Sequence, residues 1–155
     1  MQKPNSLRNA LIEAVPELNA YPDNLQLSVS RGSIAATLAA SLSYEKRYTL
    51  TVAVGTFTGE LDALLVPVMA WLRINQPDIM TTNEGQKTGF TFEVAIRGDG
   101  SVDIHINLLL TERTRVYQEG AALRAQILAE PAPPELLTRP MELYVNGERV
   151  SQLKA

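Results

Sequence analysis

Two apolar–polar alternations joined by a five-residue connection constrain the fold of this chain most strongly. Phe90–Ile96 and Val102–Leu108 each place an apolar side chain at every second position. Successive side chains of a strand point to opposite faces, so each run predicts a strand with one apolar face. Arg97–Ser101 is short and contains two glycines, which predicts a tight β-hairpin. The chain must therefore contain an antiparallel sheet, and other elements have to cover its apolar face.

Earlier runs in the chain are expected to add strands to this sheet. Leu25–Ser30 and Tyr48–Val54 alternate with a period of two. Ile34–Leu42 fits a period of two as well as a period of four, and we favour a strand because it leads into the clear strand that follows. Arg31–Ser33 is interpreted as a turn between the first two of these runs.

The C-terminal part combines clear and weak signals. Leu109–Tyr117 is expected to continue the second hairpin strand, whereas residues 119–130 fit either a short strand or a helix. Four prolines fall within residues 131–140, which favours a stiff, extended segment. Asn146-Gly147 between alternating residues is the strongest short signal for a hairpin. A single hairpin is marginally stable alone, so this one must dock on its own domain or on a neighbour.

The N-terminal segment has helical periodicity. Apolar residues recur near helical spacing between Leu7 and Leu18, and Asn5 or Ser6 is available as the N-cap. Pro16 is expected to break or kink this helix, because proline lacks the backbone N–H that a helix interior needs.

A second helix is expected between Thr58 and Pro77. Thr58 has a hydroxyl that can cap a helix start, and acidic residues follow it at the positive end of the helix dipole. The helix should end before Pro77, and Trp71 is expected in the core or at its rim. The apolar stripe of this helix consists of Leu61, Leu64, Leu65, Val68, Met69 and Leu72.

These elements predict an α+β fold: a mixed, mostly antiparallel sheet with two helices packed on it and a C-terminal β-hairpin on a proline-rich arm. A chain of 155 residues is long enough for one good core and too short for two. We expect a single structural domain over residues 1–130, followed by the arm and hairpin over residues 131–155.

The composition excludes several classes of function. The 14 basic and 17 acidic residues are mixed along the chain and give a net charge of −3. Sequence-specific binding of nucleic acid is not expected, because it needs a clustered positive surface. With no cysteine, there is no disulfide framework or thiolate metal site. We see no signal peptide and no apolar run long enough to span a membrane, so we expect synthesis in the cytoplasm and no membrane contact.

A search for catalytic chemistry finds one constellation. Asp103, His105 and Asn107 share one face of a predicted strand, where a carboxylate could orient the imidazole as a general base. The solvated face of an amphipathic strand explains the same pattern. No nucleophile or anion hole accompanies these residues, and the glycines form no phosphate-binding loop. We therefore expect neither enzymatic activity nor a cofactor.

Four stretches of the sequence are similar to one family of phage proteins. They are Gly32–Leu50, Val66–Phe92, Leu109–Thr114 and Arg139–Glu148. Long strings of mixed residue types are more specific than a short motif, and these occur in order along the chain. On this basis the chain resembles the tail completion protein R family of temperate contractile-tailed phages. Residues 115–138 match least.

The resemblance implies a late step in phage assembly. Members of the family finish the tail by capping the tube and sheath at the head-proximal end, so that the tail can join the head. Tail terminators are often α/β subunits in six-membered rings. The resemblance therefore implies a tail-terminator-like fold, a homo-oligomer in a hexameric ring, and a place at the head-proximal end of the tail in the virion. The partners would be tail tube, sheath and head–tail connector proteins, and DNA could pass through a central channel.

Two sets of residues are hypotheses for the contacts of such a ring. A ring has a head-to-tail interface, which needs two different surfaces on each subunit. The polar loop over residues 81–88 and the hairpin turn are candidates for contacting the tail or connector, through Glu84, Gln86, Lys87, Arg97 and Asp99. The arm, the terminal hairpin and two strand arginines are candidates for the subunit interface: Arg113, Arg115, Pro133, Pro134, Arg139, Tyr144, Asn146 and Gly147.

Two other classes of function remain open at this point. A neck or connector adaptor, or a tail-assembly chaperone that leaves the virion, fits the same composition. A small-molecule-binding or enzymatic domain would use Asp103, His105 and Asn107, and replacing His105 with alanine would then abolish an activity.

Overall fold

The computed structural model describes residues 1–131 and 142–152. The helical elements are α1 (Lys3–Ala14), α2 (Pro16–Ala20), a 3-10 turn (Pro22–Asn24), α3 (Asp62–Asn75), α4 (Asp78–Thr81) and a π-helical turn (Gly85–Gly89). The strands are β1 (Leu25–Ala36), β2 (Tyr44–Phe57), β3 (Phe90–Ile96), β4 (Val102–Glu119), β5 (Ala122–Leu128), β6 (Glu142–Val145) and β7 (Glu148–Gln152).

Five strands form one antiparallel sheet in the order β1-β2-β4-β3, with β5 also paired to β4. β3 pairs with residues 102–108 of β4, and β5 pairs with residues 113–119. β2 occupies the other side of β4, so β3 and β5 lie on the same side and leave residues 109–112 between them. β6 and β7 form a separate hairpin. The predicted α+β fold with a C-terminal hairpin is confirmed.

The core lies between one face of the sheet and the helices α1 and α3. Apolar side chains at every second position of β2 and β4 are completely or almost completely buried: Leu50, Val52, Val54, Ile104, Ile106 and Leu108. Leu7 and Leu11 of α1 and Leu64, Val68 and Leu72 of α3 face them and are also fully buried. Removing a side chain of this size from water stabilises the fold by about 1.5–3 kcal/mol.

Helix α1 begins at Lys3, so the predicted N-caps Asn5 and Ser6 are wrong. The carboxylate of Glu112 in β4 accepts the backbone N–H of Lys3 at 3.0 Å and thereby satisfies one open donor of the first turn. The Ser6 hydroxyl instead accepts a hydrogen bond from the indole N–H of Trp71 at 3.0 Å. The break at Pro16 is confirmed, since Val15 is extended and α2 begins at the proline.

Helix α3 begins at Asp62, four residues after its predicted cap, and ends at Asn75 as expected from Pro77. The backbone N–H of Thr58 donates to the Glu17 carboxylate at 3.0 Å, and its hydroxyl donates to the other oxygen at 3.2 Å. Thr58 therefore ties the chain to α2 and does not cap α3.

Strand β1 corrects two further expectations. The predicted turn at Arg31–Ser33 is wrong, because β1 continues through it with a shift in register between Ser30 and Ser33. Arg31 has φ 52°, the left-handed conformation that a β-bulge can require. The strand ends at Ala36, so only the first part of the predicted strand at Ile34–Leu42 is confirmed. The ambiguous residues 119–130 contain a strand, β5.

Candidate assembly surfaces

β3 is an edge strand with uncovered apolar side chains. Phe92, Val94 and Ile96 lie opposite residues of β4, and opposite residues in an antiparallel pair share a face. Although this face is the one that packs on the helices, Phe92 is 50% exposed and Ile96 is 80% exposed. Among the described strands, β3 pairs only with β4. Its outer edge therefore offers both apolar surface and backbone groups that can pair with another chain.

β1 forms the opposite edge of the sheet. At its start, the Leu25 carbonyl accepts a hydrogen bond from the Arg8 guanidinium at 2.9 Å. At its middle, the bulge at Arg31 interrupts the regular register. Between them lies a short regular edge that begins at Gln26 and includes Val29, which is 42% exposed.

Arg113 and Arg115 lie two residues apart on the exposed face of β4, as their spacing predicted. The guanidinium of Arg115 lies 4.9 Å from the centre of the Tyr117 ring, a distance typical of a cation–π contact. Within residues 1–131 and 142–152, neither arginine forms an ion pair with a carboxylate. The neighbouring acidic residues are engaged elsewhere, since Glu119 pairs with an arginine of β5 and Glu112 is buried on the other face.

The loop that holds Glu84, Gln86 and Lys87 packs closely against α4. A Cβ on Gly85 would lie 2.7 Å from the Cα of Ile79, so only glycine fits at that position. The Gln86 amide donates to a carbonyl of α4 at 2.8 Å. Glu84 and Lys87 are exposed, and they are the charged side chains that this loop presents.

Arg97 and Asp99 hold the β3–β4 turn closed. The Arg97 guanidinium donates two hydrogen bonds to one oxygen of Asp103, at 3.0 and 2.8 Å. The Asp99 carboxylate accepts the hydroxyl and the backbone N–H of Ser101, at 2.6 and 2.9 Å. These contacts lower the pKa of both carboxyls: the Ser101 bonds act on Asp99, and the Arg97 bond acts on Asp103. The turn is therefore pre-ordered, and Arg97 remains half-exposed.

The two candidate tail-contact segments lie at opposite ends of β3. The loop over residues 81–88 precedes Phe90, whereas the turn follows Ile96. A seven-residue strand is about 20 Å long. The structure therefore does not bring the two predicted sets of contact residues together into one surface.

The C-terminal hairpin lies against helices of its own chain. The buried Ser151 hydroxyl donates to the Ala14 carbonyl at the end of α1, and β6 contacts α3. Asn146 and Gly147 have φ of 51° and 82°, the positive values of the predicted two-residue turn. Of the two alternatives left open for this hairpin, docking on its own domain is the one observed in the single chain.

Tyr144 of β6 is another candidate interface residue of this region. Tyr144 is 58% exposed, and its hydroxyl donates to the Glu142 carboxylate at 2.9 Å. Pro133, Pro134 and Arg139 lie outside the described residues.

A polar network fills the gap on β4 between β3 and β5. The buried Gln76 carbonyl oxygen accepts the Thr111 backbone N–H at 3.0 Å and the Lys3 ammonium at 2.7 Å. The same ammonium donates to the Thr111 carbonyl at 2.6 Å. Side-chain atoms thus satisfy the backbone N–H and carbonyl of Thr111, which lies between the segments of β4 that pair with β3 and β5.

Glu112 extends this network onto the covered face of the sheet. Its carboxylate accepts the Tyr48 hydroxyl at 2.7 Å in addition to the Lys3 N–H. Burial opposes its ionisation, but the hydrogen bonds from Tyr48 and the backbone lower the pKa of Glu112 overall. Burial and the bond to Glu112 raise the pKa of Tyr48 above its ordinary value.

Sequence reasoning missed this network because its members are far apart in the chain. Lys3 and Gln76 are 73 residues apart, and Lys3 and Glu112 are 109 residues apart. One local signal was present. Glu112 continues the apolar alternation of β4, so its carboxylate falls on the face that the pattern assigns to the core.

On the face with Asp103, His105 and Asn107, the carboxylate and the amide are bound to neighbouring residues of the sheet. Asp103 binds Arg97 and the Thr56 backbone N–H, and Asn107 accepts the Thr51 hydroxyl at 2.8 Å. His105 is exposed on the same face. The described residues include no cluster of three or more histidine or acidic side chains that could hold a metal ion. No helix in the described part of the chain is long and apolar enough to cross a membrane.

Comparison with known proteins finds similarity along nearly the whole chain. The family model of P2 phage tail completion protein R (GpR) matches residues 1–133. Tail completion protein R of Escherichia phage P2 is 62% identical over 152 residues, which cover 98% of each chain. No solved structure matches. The family match includes both edge strands and the polar network, whereas the terminal hairpin lies beyond it.

Proposed function

The chain belongs to the P2 phage tail completion protein R family, and from this membership we propose that it forms a ring that terminates the tail tube and sheath. As a member of this family, the chain is a structural, tail-associated protein of bacteriophage tail completion. The ring, its place at the head-proximal end and its role in joining head to tail are the proposed parts.

The observation that carries the ring is the presence of two different sheet edges, β1 and β3, whose outer sides pair with no other strand of residues 1–131 and 142–152. A closed ring needs one surface that binds the next subunit and another that is bound by the previous subunit. β1 and β3 lie on opposite sides of the sheet, and the β3 edge is rich in exposed apolar side chains. We propose six subunits by analogy with tail terminators.

The positions of the two loops support contacts on both axial faces of the ring. A terminator touches the tail on one side and the head–tail connector on the other. Glu84, Gln86 and Lys87 lie at one end of β3, and Arg97 and Asp99 lie at the other. We propose that one set contacts tube or sheath and that the other contacts the connector.

The arm and hairpin are proposed to strengthen the subunit interface. In this division, residues 1–130 form the body of the subunit and residues 131–155 form the arm with its hairpin. The exposed Tyr144 and the exposed turn at Asn146 and Gly147 support a contact with a neighbour. Pro133, Pro134 and Arg139 of the arm, and Arg113 and Arg115 of β4, complete this proposed contact.

Complementation of phage that lack this protein tests the proposal. The purified chain is added to tails from such a lysate, heads are then supplied, and negative-stain images and infectious titre are recorded. We expect a ring at one tail end and restored joining to heads. A chain that restores titre but is absent from the finished particles would overturn the terminator in favour of an assembly chaperone.

The same assay separates the two axial faces. The double variant Glu84→Ala/Lys87→Ala and the double variant Arg97→Ala/Asp99→Ala should each block a different step, either binding to tails or joining to heads. Asn9→Ala, on the exposed side of α1, is the matched control and should complement fully. If both double variants block the same step, the assignment of two opposite faces is wrong.

A further inference from the structure

We propose that β3 of one copy pairs with β1 of the next copy, so that the sheets of neighbouring subunits join into one continuous antiparallel sheet. This inference rests on the ring proposed above and names the strands that hold it together. The occupant of the β3 edge is thus a second copy of this chain.

The strand order makes this pairing repeatable. In the order β1-β2-β4-β3 every neighbour is antiparallel, so β1 and β3 of one chain run in opposite directions. A second copy placed beside the first in the same orientation brings its β1 antiparallel to the free edge of β3. The pairing type therefore does not change at the junction, and the same step can be repeated around a ring.

The apolar side chains of β1 and β3 lie on the same face of the sheet and at matching positions along the strand direction. Through β2 and β4, the register places Phe92 level with Leu27 and Phe90 level with Val29. Phe92 and Val29, which are 50% and 42% exposed, lie on the helix-covered face. Joining the edges would continue the covered apolar face from one copy into the next and would remove these side chains from water.

The charges on the edges oppose pairing of an edge with itself. Glu93 is the one charged residue of β3 and lies at its centre. A two-fold antiparallel pairing of two β3 strands would place Glu93 opposite Glu93, and like charges directly opposite destabilise a sheet. The one charged residue of β1 is Arg31, so the two edges of the sheet carry opposite charges. Head-to-tail pairing of unlike edges is therefore favoured over a closed dimer.

Disulfide cross-linking tests the pairing directly, because the chain has no cysteine of its own. Thr91 of β3 and Ser28 of β1 are exposed on the face opposite the helices. A mixture of Thr91→Cys and Ser28→Cys proteins should form a cross-linked pair on oxidation, whereas each variant alone should not. The double variant should give a ladder of oligomers up to a closed ring. A disulfide requires Cα atoms within about 7 Å, so cross-linking reports adjacent strands.

Two further positions allow for a different register between copies. Gln26→Cys and Ser30→Cys sample the same face of β1, two residues to either side of Ser28. Gln126→Cys on β5 is the matched control, since it is exposed on the same face of another edge strand. Cross-linking of Thr91→Cys to itself or to Gln126→Cys, or to none of the three β1 positions, would overturn the proposed pairing.

Failure of the β1–β3 pairing can be distinguished from failure of the proposed terminator function. Wild-type chain that completes tails and forms rings, while the β1 positions do not cross-link to Thr91→Cys, refutes the edge pairing and leaves the terminator intact. A chain that cross-links between β1 and β3 but does not complete tails supports the pairing and refutes the function.

Discussion

Strands β3 and β4 have the same sequence pattern and opposite environments. Each has an apolar side chain at every second position, and the two sets lie opposite each other on one face of the sheet. Ile104 and Ile106 of β4 are fully buried, whereas Phe92 and Ile96 of β3 are half-exposed or more. The period of two determines which face a side chain lies on, but it carries no information about how far the covering helices extend.

The difference in burial between β3 and β4 also matters for assembly. An inner strand uses its apolar face to hold its own chain together, while an edge strand with the same face can contribute that surface to a partner. The apolar side chains of β4 are therefore expected to control the stability of the subunit. Those of β3 are expected to control the association of subunits.

The largest expected effect is the difference in stability lost when one isoleucine is replaced by alanine in β4 or in β3. Ile106→Ala removes a fully buried side chain and should lower the free energy of unfolding by about 2–5 kcal/mol, because a cavity remains in the core. Ile96→Ala, at a position that is 80% exposed, should lower it by less than about 1 kcal/mol. Urea denaturation of both variants measures the difference, and equal losses would show that β3 is covered in solution.

A smaller loss of stability is expected in the polar network, where side chains bond the backbone of β4 between β3 and β5. Gln76→Leu keeps much of the side-chain volume but leaves the Thr111 N–H and the Lys3 ammonium without their buried acceptor. The free energy of unfolding should fall by about 1–3 kcal/mol. Gln86→Leu is the control, because that amide is exposed and bonds only a carbonyl of α4 among the described residues; it should change stability by less than about 0.5 kcal/mol. A neutral Gln76→Leu would mean that water replaces the amide in the gap.

The smallest effect is a pH dependence from Glu112, the carboxylate on the covered face of β4. Its pKa is lowered in the folded state, so the unfolded state binds the proton more readily. The contribution of Glu112 to stability is therefore fully present above its ordinary pKa of 4.5 and is lost as the pH falls through the lower folded-state value. Because burial opposes the hydrogen bonds, the net effect is expected to be modest.

Denaturation of wild type and Glu112→Gln at pH 7 and pH 3 measures this contribution. The variant should be less stable than wild type at pH 7, and the difference should narrow at pH 3, which lies below the ordinary pKa of the carboxyl, because the unfolded wild-type chain then binds the proton and the contribution of the anion is being lost. If the difference between the two proteins is the same at both pH values, the carboxylate does not contribute as an anion.

Much of the fold could be predicted because its signals are local. The β3–β4 hairpin, the Asn146-Gly147 turn, the break at Pro16 and the helix end before Pro77 all follow from backbone chemistry within a few residues. The two wrong helix caps have a different cause. The first turn of α1 meets the Glu112 carboxylate of β4, and Thr58, the predicted cap of α3, binds the Glu17 carboxylate of α2 instead; no local capping rule includes such contacts.

The candidate surfaces also combine features that the local sequence predicts with features that it does not. The sequence placed Arg113 and Arg115 on one strand face and Arg97 and Asp99 in a turn, and the structure agrees. It could not indicate that the turn and the loop over residues 81–88 lie at opposite ends of β3. Nor could it indicate that β3, with a typical core pattern, lies at an edge, because edge position depends on strand order.

The sequence by itself determined the faces and boundaries of most elements, since side-chain period, proline and glycine act through the geometry of the adjacent backbone. The tertiary structure alone decided which apolar face is covered, which carboxylate meets the first turn of α1 and which strand remains at the edge. These depend on contacts between segments many tens of residues apart, where packing and hydrogen bonding select among arrangements that local geometry allows equally.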